Sequence, residues 1–310
     1  MRPRHIERAL ATLVRGVLAT PLVLFLLVPL AALVWRAVSG PISFTGATTE
    51  TLRQALVLSL YTSAISLGLI ALLGTPLAYV LARHRFPGAR LVDTLIDLPM
   101  VLPPAVAGLA LLMAFGREGV LGGVLTALGI NLAFTTQAVI LAQVFVAVPF
   151  YTRAAKAAFG RVDRDVEAAA ATLGAAPWRV FWAVTVPLAL PGLAAGAVIA
   201  WARALGEFGA TIMFAGNFAG RTQTMPLAIY GRFEAGDLGT SLLLAVVLLG
   251  TSLLILLAAR VVGGPFPSWL PWRMPAIAGD RSPAPALPPA PAAARAPQQL
   301  PQQIPQRKRG

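Results

Sequence analysis

The sequence predicts an all-α integral membrane protein with about six transmembrane helices and one short polar helix held outside the bilayer. Three observations predict it. Hydrophobic residues make up 57% of the 310-residue chain and charged residues only 12%, with a mean hydropathy of +0.75, whereas soluble domains carry about 25% charged residues. Six stretches are apolar for long enough to cross a bilayer, which takes about 20 residues. The arginines and lysines gather in alternate connecting segments.

In chain order the candidate spans are about 16–38, 55–82, 99–116, 134–152, 182–206 and 239–262. The first follows Arg2, Arg4, Arg8 and Arg15 and so begins like a signal peptide. Its apolar run from Val17 to Trp35 exceeds the usual core of about 7–15 residues and no small-x-small cleavage site follows, so it is expected to be retained. Pro99, Pro103, Pro104 and Pro149 interrupt the third and fourth spans, and Pro187 and Pro191 the fifth. Proline removes a helix hydrogen bond and kinks the rod. Backbone buried in lipid must stay satisfied, so these breaks are expected to line a protein-enclosed pathway. The fifth span also carries Gly192, Gly196, Ala200 and Ala204, a small residue every fourth position. Such a stripe permits close helix packing and is compatible with a subunit-facing surface.

Segments 1–15, 83–98, 153–181 and 260–310 hold 19 of the 25 arginines and lysines. Under the positive-inside rule this places both termini in the cytoplasm. The expected organisation is a cytoplasmic N-terminus (1–15), a transmembrane domain (16–262) with a polar loop at about 160–180, and a cytoplasmic segment (263–310). Trp269, Trp272 and Arg273 read as interfacial anchors. From Asp280 to Gly310 the chain holds eight prolines and many alanines, a composition too poor in apolar bulk to fold, and expected to touch membrane lipid only weakly.

Several classes are excluded. With no cysteine there is no disulfide framework or thiolate metal site. His5 and His84 stand beside arginines near membrane edges, which leaves no histidine metal site. The net charge of +13 is not interleaved with aromatics as single-strand binding requires, so nucleic acid is not an expected partner. No nucleophile–base grouping is visible, and no phosphate loop of the form Gly-x-x-x-x-Gly-Lys-Ser/Thr occurs.

The polar loop holds the most specific signal. Asp163 is a good N-cap, Asp165 and Glu167 put negative charge in the first turn, and Ala168 to Ala171 favour helix. Gly174 supplies a left-handed stop and Pro177 can open the next helix. At about ten residues, or roughly 15 Å, this helix cannot span. The residues alone leave two readings, a docking element or an interfacial connector.

Glu167 through Pro187 resembles the Glu-Ala-Ala loop of permease subunits of bacterial ABC importers, whose pattern is Glu-Ala-Ala, three residues, Gly, nine residues, then Ile-x-Leu-Pro. Counting back from Gly174, the motif would fall on Ala168, Ala169 and Ala170, so the glutamate is displaced by one residue. Val184-Thr-Val-Pro187 is a conservative closing signature. The resemblance implies a type I ABC importer permease fold whose cytoplasmic coupling helix, with Glu167, Ala168, Ala169, Ala170 and Gly174, sits in a groove of an ATP-hydrolysing subunit. ATP and magnesium would then belong to that partner, and this chain would be a non-catalytic permease of the bacterial inner membrane.

The resemblance extends through most of residues 50–262. Arg85-Phe-Pro-Gly88, Asp97-Leu-Pro-Met-Val-Leu-Pro-Pro104 and Phe115-Gly-Arg-Glu-Gly119 look like the oxyanion permeases. Ala202 through Thr211, Ala215-Gly-Asn217 and Arg221-Thr-Gln-Thr-Met-Pro226 are most similar to molybdate permeases, with sulfate, thiosulfate and tungstate permeases as near relatives. This implies an ATP-driven oxyanion importer, a homodimer fed by a periplasmic binding protein. Candidate pathway residues are Pro103, Pro104, Arg203, Gly206, Glu207 and Thr211.

Arg203 lies about 24 Å along a helix from Pro187, in the outer half of the membrane, with Glu207 four residues on and able to neutralise it. An ionisable residue in a span is a functional candidate, and a structural Arg–Glu pair is the alternative. An ion-coupled secondary transporter is the rival of another class. Such proteins place carboxylates near the midplane, whereas here the acids are expected in loops, Glu207 excepted.

Overall fold

Among the described residues, 3–40 and 46–262 of this computed structural model, the regular elements are all helical: α1 (Pro3–Ser39), α2 (Gly46–Arg83), α3 (Ala89–Val101), α4 (Pro104–Phe115), α5 (Gly122–Ala127), α6 (Thr136–Arg161), α7 (Arg164–Thr172), α8 (Pro177–Val180), α9 (Val186–Leu205), α10 (Gly209–Ala215), α11 (Met225–Glu234) and α12 (Leu238–Val262). A π-turn, Phe181–Thr185, joins α8 to α9. These elements fall in one unit, residues 1–265. The interfacial tryptophans and the proline-rich tail expected after residue 262 lie outside the described residues.

The centre is a triple of α2, α6 and α9, with α6 in the middle. Ile70 and Ala78 of α2, Ala147, Tyr151 and Phe159 of α6, and Leu193, Ala200 and Ala204 of α9 share one buried cluster. Close approach depends on missing side chains. A Cβ on Gly192 would stand 2.5 Å from the Ala158 methyl, and one on Gly196 would stand 2.6 Å from that of Ala154. The small-residue stripe of α9 therefore packs on α6 within the same chain, which corrects the subunit-facing reading. Small residues serve the nearest helix first, because the two helices are consecutive long spans.

Among the described residues, five helices are long and apolar enough to cross a membrane: Thr20–Ser39, Gly46–Arg83, Thr136–Arg161, Pro177–Leu205 and Leu238–Ala258. They match five of the six expected spans. α2 is longer than expected; its 38 residues make about 57 Å, well beyond the hydrocarbon thickness of about 30 Å.

The third expected span is not a straight crossing. α3 and α4 meet at 117°, with Leu102 and Pro103 extended between them (ψ 134° at both). Adjacent prolines cause this. Each pushes the residue before it out of helical geometry, and neither has an N–H to continue the ladder.

The acids also depart from expectation. Asp93 and Asp97 lie on α3 and Glu50 on α2 rather than in loops. Each pairs with a cation: Asp97 with Arg153 at 2.5 Å, Asp93 with Lys156 at 2.7 Å, and Glu50 with Arg53 at 2.7 Å. The sequence shows no such pairing for Asp93 and Asp97, because their partners sit 63 and 56 residues away on α6.

Candidate functional site

α7 forms where the chain leaves α6. Asp163 caps it, its carboxylate accepting from the Asp165 N–H at 2.9 Å. The nine residues make a rod of about 14 Å. Gly174 adopts φ +85°, the left-handed conformation that a side chain resists, and the chain turns to Pro177 at the start of α8. No residue of α7 is buried. Ala168 and Ala169 are exposed, Ala170 is half-buried and Gly174 is exposed. Leu173, Trp178 and Trp182 continue this surface, at 89%, 64% and 62% exposure.

Glu167 turns the other way. Its carboxylate accepts from the Arg83 guanidinium at 2.9 Å and from the Thr185 hydroxyl at 2.6 Å. Arg83 also donates to the Val162 carbonyl at 3.0 Å. The two charged side chains are 8% and 17% exposed. Arg83 ends α2 and Thr185 ends the π-turn before α9. One carboxylate thus ties α7 to two of the three central helices.

At the other candidate site, two chain breaks meet. A Cβ on Gly209 would stand 2.6 Å from Pro104 Cβ, and one on Gly108 would stand 2.6 Å from the Ala210 carbonyl oxygen. The bend at Leu102–Pro103 and the break at Gly206–Phe208 are therefore held side by side, with Pro103 and Gly206 exposed. Glu207 is 1% exposed and fully used: it accepts from Arg203 at 2.6 Å and from the Ala210 N–H at 2.8 Å. α9 ends at Leu205, and Glu207 satisfies the Ala210 N–H in the first turn of α10. Arg203 remains 28% exposed. The buried Thr211 hydroxyl has no partner among the described residues. The structure thus gathers Pro104, Glu207, Arg203 and Thr211 around this junction.

A polar seam escaped the sequence reading. Ser59, Thr62, Ser63 and Ser66 of α2 are all buried. Ser66 donates to Gln143 at 2.9 Å, Gln143 donates to Thr62 at 3.2 Å, Trp201 donates to Ser63 at 2.9 Å, and the Met225 N–H donates to Ser59 at 2.7 Å. The seam joins α2 to α6, α9 and α11. Its signal was available: hydroxyls three and four residues apart share one helix face. Among the described residues no group of three or more histidines, cysteines or acids is placed to hold a metal ion.

The described residues thus form a multi-pass helical bundle with a short capped helix exposed at one end. Residues 74–263 match the family described as "binding-protein-dependent transport system inner membrane component", and the chain belongs to that family. The molybdenum transport system permease protein ModB of Mycobacterium tuberculosis is 46% identical over 239 residues, covering 77% of this chain and 90% of the relative. The sulfate transport system permease protein CysT of Escherichia coli K12 is 35% identical over 254 residues, covering 78% and 88%. A solved bacterial ABC transporter involved in import of the acidic polysaccharide alginate superposes with a TM-score of 0.66 at 19% identity, covering 84% of this chain and 97% of that one. The fold is that of type I ABC importer permeases. Membership implies an ATPase partner and a periplasmic binding protein, and a multi-pass protein of the inner membrane.

Proposed function

We propose that this chain is the permease subunit of an ATP-driven molybdate importer, working as a homodimer with two cytoplasmic ATPase subunits and both termini in the cytoplasm. The observation that carries the reading is the 46% identity to a molybdenum transport permease over 77% of the chain. The exposed, doubly capped α7 supports the coupling role. Ala168, Ala169, Ala170 and Gly174 offer a small-residue surface for the ATPase groove, while Glu167 holds the helix from behind. ATP and magnesium are bound by the partner, and this chain carries out no chemistry of its own.

The pathway runs past the junction of the two broken helices. Pro103, Pro104, Gly206 and Thr211 form its wall there, and Arg203 and Glu207 lie beside it as a neutralised pair. Closure of the ATPases, transmitted through α7 to α2 and α9, switches access between the two sides.

The test is uptake of labelled molybdate into proteoliposomes holding permease and ATPase, with binding protein outside and sulfate as competitor. ATP-dependent uptake that sulfate leaves intact is expected. Preferential uptake of sulfate or thiosulfate would move the chain to its sulfate relatives, and preferential uptake of tungstate would reassign the oxyanion. Uptake without the ATPase would point to an ion-coupled transporter.

A further inference from the structure

At the end of α6 remote from α7, a cavity of about 550 Å³ is lined by residues of the α4–α5 turn, the segment before α6 and the loop after α10. Arg117 and Arg221 both line it. Elsewhere on this side, Arg53, Arg203 and Arg232 each have a carboxylate within 4 Å. Among the described residues neither Arg117 nor Arg221 has one. Glu118 also lines the cavity and pairs with neither, which leaves the lining with one net positive charge.

The arginines stand on turns that are fixed. Arg117 lies in a turn closed by hydrogen bonds from the Gly119 N–H to the Gly116 carbonyl and from the Gly122 N–H to the Gly119 carbonyl. A side chain at Gly122 would collide with the Arg117 carbonyl. Arg221 follows Gly220 at φ +72°, and its carbonyl accepts from the Thr136 hydroxyl at 2.9 Å. Phe134, on the cavity wall, adopts φ +61°, which is strained for a bulky side chain. Its N–H donates to the Phe214 carbonyl at 3.1 Å, and its ring packs edge-on against Phe218. Strain of this kind persists only where the surroundings enforce it.

We propose that this cavity is an oxyanion-binding site at the outer end of the permease, where the transported anion is held between Arg117 and Arg221 before it enters the bundle. Guanidinium groups present paired donors that match the oxygens of an oxyanion, and Asn131 and Thr126 in the same lining add neutral donors. The space exceeds one tetrahedral anion, so the ion keeps part of its water. Binding is accordingly weak and release inward is easy. The proposal rests on the oxyanion reading and on the orientation given above.

The test is equilibrium dialysis of molybdate and of sulfate against the permease–ATPase complex in nanodiscs, comparing wild type with Arg117→Gln, Arg221→Gln and the double variant. Docking of the binding protein is measured on the same samples. Each single substitution is expected to weaken anion binding about tenfold, with docking and basal ATP hydrolysis unchanged. Unchanged anion binding in the double variant overturns the site. Lost docking with unchanged anion binding also overturns it, and makes the arginines a protein contact. If wild type binds sulfate through the arginines yet imports no molybdate, the substrate assignment fails and the site stands.

Discussion

The Arg83 guanidinium and the Glu167 carboxylate lie 2.9 Å apart, linking the last residue of α2 to the first turn of α7. With Thr185 as a second donor, the pair makes the exposed helix part of the central bundle. Glu167→Gln keeps the size and removes the charge. Because the Ala168–Ala170 surface is untouched, ATPase association is expected to stay within about threefold of wild type, while anions moved per ATP fall about tenfold. Paired measurement of hydrolysis and uptake checks this. An equal loss of association and uptake would make Glu167 part of the docking surface.

Gly174 sits at φ +85° with open space where a Cβ would point. Gly174→Ala therefore meets backbone strain and no clash, about 1–2 kcal/mol. The α7–α8 turn should loosen and ATPase affinity fall about tenfold, read by titrating purified ATPase onto the permease.

Glu207 is 1% exposed and held by Arg203. Arg203→Met strands a buried carboxylate at a cost of about 3–5 kcal/mol. The double variant Arg203→Met, Glu207→Gln is expected to lose less than the two single changes together, as contacting residues do. Thermal unfolding midpoints of the four proteins decide it. Strict additivity would mean that the pair is not coupled.

Gly108 meets the Ala210 backbone where a Cβ would sit. Gly108→Val must push α4 from α10, costing about 1–3 kcal/mol or more. Uptake should fall more than ATPase association, since α7 lies elsewhere.

Asp237, in the turn before α12, accepts from the Thr240 hydroxyl and N–H, which hold its carboxyl below the usual range. The folded form thus favours the carboxylate. This cap is complete above the unfolded value of about 3.9 and is lost as pH falls through the lower folded value. Amide exchange at the start of α12 should rise only below about pH 4, and Asp237→Asn should remove that pH dependence.

Much of this was legible in local chemistry. Asp163, Gly174 and Pro177 each act within a residue or two of themselves, so their roles as cap, stop and start could be read from the chain. The direction of Glu167 could not, because Arg83 is 84 residues distant and only the packing of α2 on α6 brings it near. The bend at Pro103–Pro104 was foreseen as a break, but its 117° angle depends on how α4 seats against α10. The junction of Pro104 with Gly209 was hidden for the same reason, since two separate breaks carry no mark of their pairing. The hydroxyl seam was spaced visibly enough, yet single serines in an apolar run look incidental until Gln143 stands opposite.

That seam bears on how the chain enters the membrane during synthesis. Thr62 and Thr75 each donate to a carbonyl four residues back on their own helix, at 2.8 and 2.6 Å. α2 thus carries these two hydroxyls into lipid already satisfied by its own backbone. Gln143 has no such local acceptor: its amide depends on Thr62 and Ser66. The first of the two helices to leave the ribosome is the self-sufficient one, and it is waiting in the bilayer when the helix that needs it arrives.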